Sequence, residues 1–277
     1  MRITSDNLDQ TIELNEQIAK QVEDHILLIE KRFIKWQSLP VEEQALEILR
    51  EHHLIEVPIP DENWGGAIRK FFNNTMVPII NTYQPRLYQY FIYWHEIYHL
   101  TEREEMDTVH TNGYEITTEF DLSERKADYF ASQMIFRRSD LYEYYHSLGS
   151  DDDFIERIAH CMKSFKAPYK AVMIELYQLA QRHRNTNLQK NIKEYFDFRL
   201  QPPKWEIIFQ ENSLDDTLMK PSYVTNLNHI IKTINKEIMN HPDVDFYKEN
   251  LRLVKEWELK FKKVKAETKG ELDGKLP

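Results

Sequence analysis

Apolar positions along the first part of the chain fall at steps of three and four. Leu14, Ile18, Val22, Ile26, Ile29 and Phe33 share one face and predict a long helix over 6–37. Pro40 suits the start of a second helix within 38–53. The pattern breaks at Val57-Pro58-Ile59-Pro60 and Gly65-Gly66, which read as loop and turn. The runs 67–72 and 75–81 read as short strands joined at Asn73-Asn74. Pro78 cannot donate to a ladder, so the second run is expected at a sheet edge or a bulge. An edge there would suit pairing with an extended substrate, except that Pro78 interrupts it; plain core packing is the alternative.

Helical spacing returns at Pro85 and continues to 101. Residues 102–120 start polar and then alternate through Tyr114, Ile116, Thr118 and Phe120, as a half-buried strand does. Further helices are predicted over 122–138, with Asp121 or Ser123 as N-cap, over 153–163 behind Asp151-Asp152-Asp153, and over 168–182 from Pro168. A composition shift at 183–190 predicts two domains, 1–184 and 185–277. In the second, Trp205–Phe209 reads as a strand. Two amphipathic helices follow, one carrying Leu227, Ile230, Ile231, Ile234 and Ile238, the other Val254, Trp257, Phe261 and Val264; together they predict a helical hairpin. The last dozen residues are polar and expected to fray. The fold class expected is mainly α (α+β), with a mostly helical C-terminal extension.

Composition narrows the function. The 277 residues carry 36 Lys+Arg against 46 Asp+Glu, a net charge of −10, which gives no long-range pull toward nucleic acid. No stretch approaches the roughly 18 apolar residues of a membrane span, and the N-terminus lacks the apolar core of a secretory signal. The single cysteine, Cys161, excludes an internal disulfide. A cytoplasmic protein that neither crosses a membrane nor binds nucleic acid directly is expected.

The chemistry concentrates in His95-Glu96-Ile97-Tyr98-His99, an H-E-x-x-H motif on a predicted helix. Positions i and i+4 lie on one face, so both imidazoles can bind one metal ion, and zinc suits that ligand set. Glu96 lies at the edge of the same face, where it can take a proton from a water whose pKa zinc lowers to about 7. A catalytic zinc needs a third protein ligand. Positions 102 and 105 are both Glu, which excludes the extended pattern with Gly and His there. The next helix offers Glu124 and, one turn on, Asp128. Glu124 can complete the ligand set while Asp128 accepts the outer N–H of a ligand histidine and fixes its tautomer.

These residues carry a resemblance. Ile79-Ile80-Asn81, Pro85, Phe91 and the H-E-x-x-H, followed by Glu124-Arg-Lys-Ala-Asp128-Tyr-Phe-Ala131, resemble the ImmA/IrrE family of zinc metallopeptidases over residues 41–180. The resemblance implies a zincin-like core with a small antiparallel sheet. It implies a cytoplasmic endopeptidase that cuts helix-turn-helix repressors, with His95, His99 and Glu124 as ligands and Glu96 as base. Two departures stand out. Tyr98 occupies a position where the family often has Gly, and Met134-Ile-Phe-Arg137-Arg138 replaces an apolar run ending in Met-Pro.

Other candidates carry weaker signals. His110, Tyr114 and Tyr129 are candidate oxyanion donors, set against ordinary loop and core roles. Cys161 suits a small buried hydrophobe better than a nucleophile. Lys260, Lys262, Lys263 and Lys265 suit one solvated helix face. Two readings compete with the peptidase: a zincin-fold module that senses a signal or holds a repressor with little hydrolysis, and a DNA-binding regulator using the 154–180 helices.

Overall fold

The computed structural model describes residues 3–71, 75–102, 122–137, 139–149, 153–198 and 202–273. Helix α1, Leu8–Arg32, buries Leu8, Ile12, Ile18, Val22, Ile26 and Ile29 along the predicted face. It ends at Arg32, before a short 3-10 turn over Ile34–Trp36. Helix α2, Val41–Glu51, follows Pro40. The expected turn at Asn73-Asn74, the strand within 102–120 and the cap residues Asp121, Asp151 and Asp152 lie outside the described residues.

Among the described residues the sheet has three strands in the order β1-β3-β2: β1 Ile55–Val57, β2 Gly66–Lys70 and β3 Met76–Asn81. It is mixed rather than antiparallel. β2 runs antiparallel to β3, from Gly66 opposite Ile80 to Lys70 opposite Met76, in a regular register without a bulge. β1 runs parallel to β3 and was hidden in the Pro-rich stretch read as loop. The strand holding Pro78 is therefore central, not an edge. Pro78 is tolerated because β1 pairs only with Ile79, Ile80 and Asn81, so β3 has a single neighbour at the proline.

Helices α3, Arg86–Thr101, and α4, Leu122–Phe136, pack against each other, and α3 lies against β2 and β3. With α1 and α2 they enclose one apolar cluster that includes Val22, Ile26, Ile48, Trp94, Ile97 and Phe130. A second cluster unites α5, Leu141–Ser147; α6, Phe154–Phe165; α7, Tyr169–Arg182; α8, Thr186–Tyr195; and α9, Pro202–Glu211. It contains Ile158, Met162, Val172 and Leu176 together with Leu188, Ile192, Phe196, Trp205 and Phe209, residues from both sides of position 184. α8 forms inside the polar stretch because Asn185 caps it, accepting a 3.0 Å bond from Leu188 N, and Leu188, Ile192 and Phe196 recur every fourth residue. Trp205–Phe209 is helical, not a strand. Trp205 and Phe209 are buried one turn apart while Ile207 is exposed, a period near four rather than two. α7 is buried on nearly every side and has no free face with which to enter a DNA groove.

The hairpin of α10, Leu227–Asn240, and α11, Asp245–Asp273, forms as expected. It packs on the sheet through a third cluster of Val57, Leu227 and Val254 with Ile55, Ile79 and Phe261. Asn226 ties its root to β1, accepting from Glu56 N and donating to Leu54 O. No helix among the described residues is long and apolar enough to cross a membrane.

Candidate metal centre

The helix α3 is apolar on most sides, so its polar residues are drawn indoors. Glu96 and His99 are both buried between Tyr93, Trp94, Ile97 and Leu100. His95 Nε2 and His99 Nε2 lie 3.3 Å apart, one turn from each other. Across the helix interface, Glu124 Oε2 is 3.2 Å from His95 Nε2, and Glu124 Oε1 is 3.2 Å from His99 Nε2. Three donors each about 2.0–2.1 Å from one ion in a tetrahedral shell are about 3.3 Å apart. The two nitrogens match that spacing, each faces its own oxygen of Glu124, and this His–His–Glu group can hold a metal ion.

The partners behind the donors fix their orientation. Asp128 Oδ1 lies 3.0 Å from His95 Nδ1, so an Nδ1–H directed at it leaves Nε2 as the lone-pair donor. Arg125, buried beside it, comes within 3.7 Å of Asp128 Oδ2. Glu102 serves His99 and was not foreseen. Its Oε2 lies 3.9 Å from His99 Nδ1, and its carboxylate accepts from Tyr98 OH at 2.9 Å and Ser123 Oγ at 2.8 Å. The signal existed in the sequence, since Glu102 follows His99 by three residues and so shares its face.

Tyr98 explains one departure from the family pattern. Besides holding Glu102, its ring packs 4.7 Å from His25 and 5.5 Å from Phe130, contacts that Gly could not make. His25 in turn meets Thr101 Oγ1 at 2.5 Å and ties the end of α3 to α1. The other departure has a similar cause. Arg137 pairs with Glu23 at 2.6 Å and Glu30 at 3.6 Å, joining the end of α4 to α1.

Charge is arranged for a cation. Burial alone would push the His95 imidazole down, but the Asp128 and Glu124 carboxylates outweigh it and raise it well above the usual range. Burial likewise opposes Glu102 and Glu124 at His99, which ends raised to about 9. Glu102 is held down at about 2 by His99, Ser123 and Tyr98 against the cost of burial. Glu124 is held far below the ordinary carboxylate value by the two histidines, again against burial.

Glu96 sits over the start of β2. A Cβ on Gly66 would come within 2.9 Å of Glu96 Oε1 and 3.0 Å of Ile79 O, so only glycine leaves room for the carboxylate. The turn before Gly66 is held by Asn81, whose side chain accepts from Ile59 N and Tyr83 N and donates to Asp61 O and Trp64 O. Tyr129 belongs elsewhere: it packs with Phe130 and Trp94 and lines a groove between α1 and α4 with Val22 and Gln133. His110 and Tyr114 lie outside the described residues.

Comparison with models of known families, with curated proteins and with solved structures finds no match.

Proposed function

We propose that this chain is a zinc-dependent endopeptidase of the ImmA/IrrE type, with a zincin-like core, acting on a regulatory protein. The observation that carries the reading is the convergence of His95 Nε2, His99 Nε2 and the Glu124 carboxylate, the two nitrogens 3.3 Å apart and each 3.2 Å from one of the two Glu124 oxygens, beside a buried Glu96. Two imidazoles and one carboxylate with room for a further ligand are the donor set of a hydrolytic zinc. Bound there, zinc would supply Lewis acidity, lowering the pKa of water to about 7 and polarising a carbonyl. Asp128 and Glu102 hold the imidazoles in place. Glu96 takes the proton of the attacking water and returns it to the departing amine. β2 has a neighbour on one side only among the described strands, and it begins at Gly66, beside Glu96. An extended peptide added along Gly66–Arg69 on its other side would bring its backbone to the base. β3 is occupied on both sides at Ile79 and Ile80. The substrate class, a helix-turn-helix repressor in the cytoplasm, follows from the resemblance.

Metal analysis of the purified chain tests the first step. About one zinc per chain is expected, lost in His95→Ala; a folded chain without metal would refute the reading. Glu96→Gln should keep the zinc and lower cleavage of a candidate repressor by about 10²–10⁴. Cleavage that persists in this variant would refute the assigned base. Zinc bound with no cleavage by the unaltered chain would favour a binding or sensing module.

A further inference from the structure

The α10–α11 hairpin buries one face and leaves another. Val254 and Phe261 of α11 turn to α10 and the sheet. Beside that face runs a second stripe at alternating steps of three and four: Phe246, Asn250, Leu253, Trp257 and Lys260. Phe246 is 65% exposed, Trp257 51% and Leu253 40%. Large apolar side chains in a row on a projecting helix mark an interaction surface rather than scattered surface residues. We infer that this stripe is the seam of a homodimer in which α11 of one copy packs antiparallel on α11 of a second.

Two properties select a second copy as the occupant. The first is register. Reversing the helix about position 255 sets Leu253 against Trp257, Asn250 against Lys260, and Phe246 against the half-buried Val264. The stripe is thus complementary to itself, as a two-fold interface requires. The contact runs from 246 to 264, about 27 Å of helix. The second is charge. The end near the hairpin tip carries Asp243, Asp245 and Glu249 against the single Lys248, which pairs with Asp245, whereas 260–265 carries Lys260, Lys262, Lys263 and Lys265 and no acidic residue. An antiparallel copy sets each acidic end against a basic one, and Glu249 flanks the seam opposite Lys263 of the second copy. A parallel copy would set like against like, a penalty that fixes orientation.

Light scattering on the 277-residue chain during gel filtration tests this. The expected mass at micromolar concentration is twice the chain's 33.5 kDa. The double variant Leu253→Glu/Trp257→Glu changes exposed positions only and should run at the single-chain mass with unaltered helicity and metal content. Ile207→Glu, an exposed apolar site on α9, should leave the dimer intact. Glu249→Lys should weaken the dimer about tenfold or more, and adding Lys263→Glu should restore it. A single-chain mass for the unaltered protein, or a dimer that survives the Leu253/Trp257 change, overturns the proposal. Failure of the charge swap to restore association overturns the antiparallel register.

Discussion

Gly66 has no side chain, and Glu96 occupies the space this leaves. Gly66→Ala puts a methyl group within 2.9 Å of the Glu96 oxygen and must displace the carboxylate or the strand. The expected outcome is a chain that keeps its metal and loses turnover, seen as a fall in kcat at unchanged zinc content; a fall in zinc content would mean that Gly66 serves the fold alone. On the proposed reading, the outer carboxylates govern metal affinity instead. Asp128→Asn should weaken zinc binding about 10–100-fold. Glu102→Gln should weaken it less, since Glu102 stands 3.9 Å from its histidine against 3.0 Å for Asp128; competition with a chelating dye measures both. The donors were legible in the sequence because a helix turns fixed offsets into fixed geometry, as with His95 and His99, or Glu124 and Asp128. Gly66 was legible only as a breaker. Its partner lies thirty residues away across a strand–helix contact, and nothing local encodes that distance.

The same contrast appears among the elements. α1, α3, α6 and α7 follow from apolar periodicity and from prolines or capping residues at their starts, all local signals. β1 and the central place of β3 depend on which strands meet, and three residues of β1 beside two prolines hold no such information. The α4–α7 contact is equally non-local. There Glu175 is buried, accepting from Gln133 Nε2 at 3.1 Å. Burial raises its carboxyl from the ordinary 4.5 to about 7, with Arg182 pulling the other way. Between these values the folded chain binds a proton that the unfolded chain has released. Stability from this group is therefore full below about pH 4.5, declines as pH rises to about 7, and stays at the lower level beyond. At about 1.4 kcal/mol per pKa unit, the loss is at most about 3 kcal/mol. Glu175→Gln keeps an acceptor for Gln133 and removes the charge. It should match the unaltered chain in urea unfolding near pH 4.5 and exceed it by about 1–3 kcal/mol at pH 8. A variant that shows no gain at pH 8 would place the pH dependence elsewhere.

At the scale of the molecule, three helices cross between the apolar clusters. α1 gives Leu8 and Ile12 to the cluster of α5–α9, and Ile18, Val22, Ile26 and Ile29 to the cluster around the metal helices. α3 and α4 do the same, with Leu87 and Phe136 in the first and Trp94 and Phe130 in the second. Opening one cluster therefore strips covering from the other, and unfolding should be one cooperative transition. The His95, His99 and Glu124 group joins α3 to α4, so an ion held there would draw on the stability of both clusters. Metal that binds the folded chain 100-fold above its dissociation constant adds about 2.7 kcal/mol. For a chain of this size that is a rise in Tm of about 5 °C, reversed by a chelator. Calorimetry should show the whole transition moving as one peak. Two peaks, with only the first shifted by chelation, would mean that the metal-bearing cluster unfolds on its own and that α1 does not couple it to the rest.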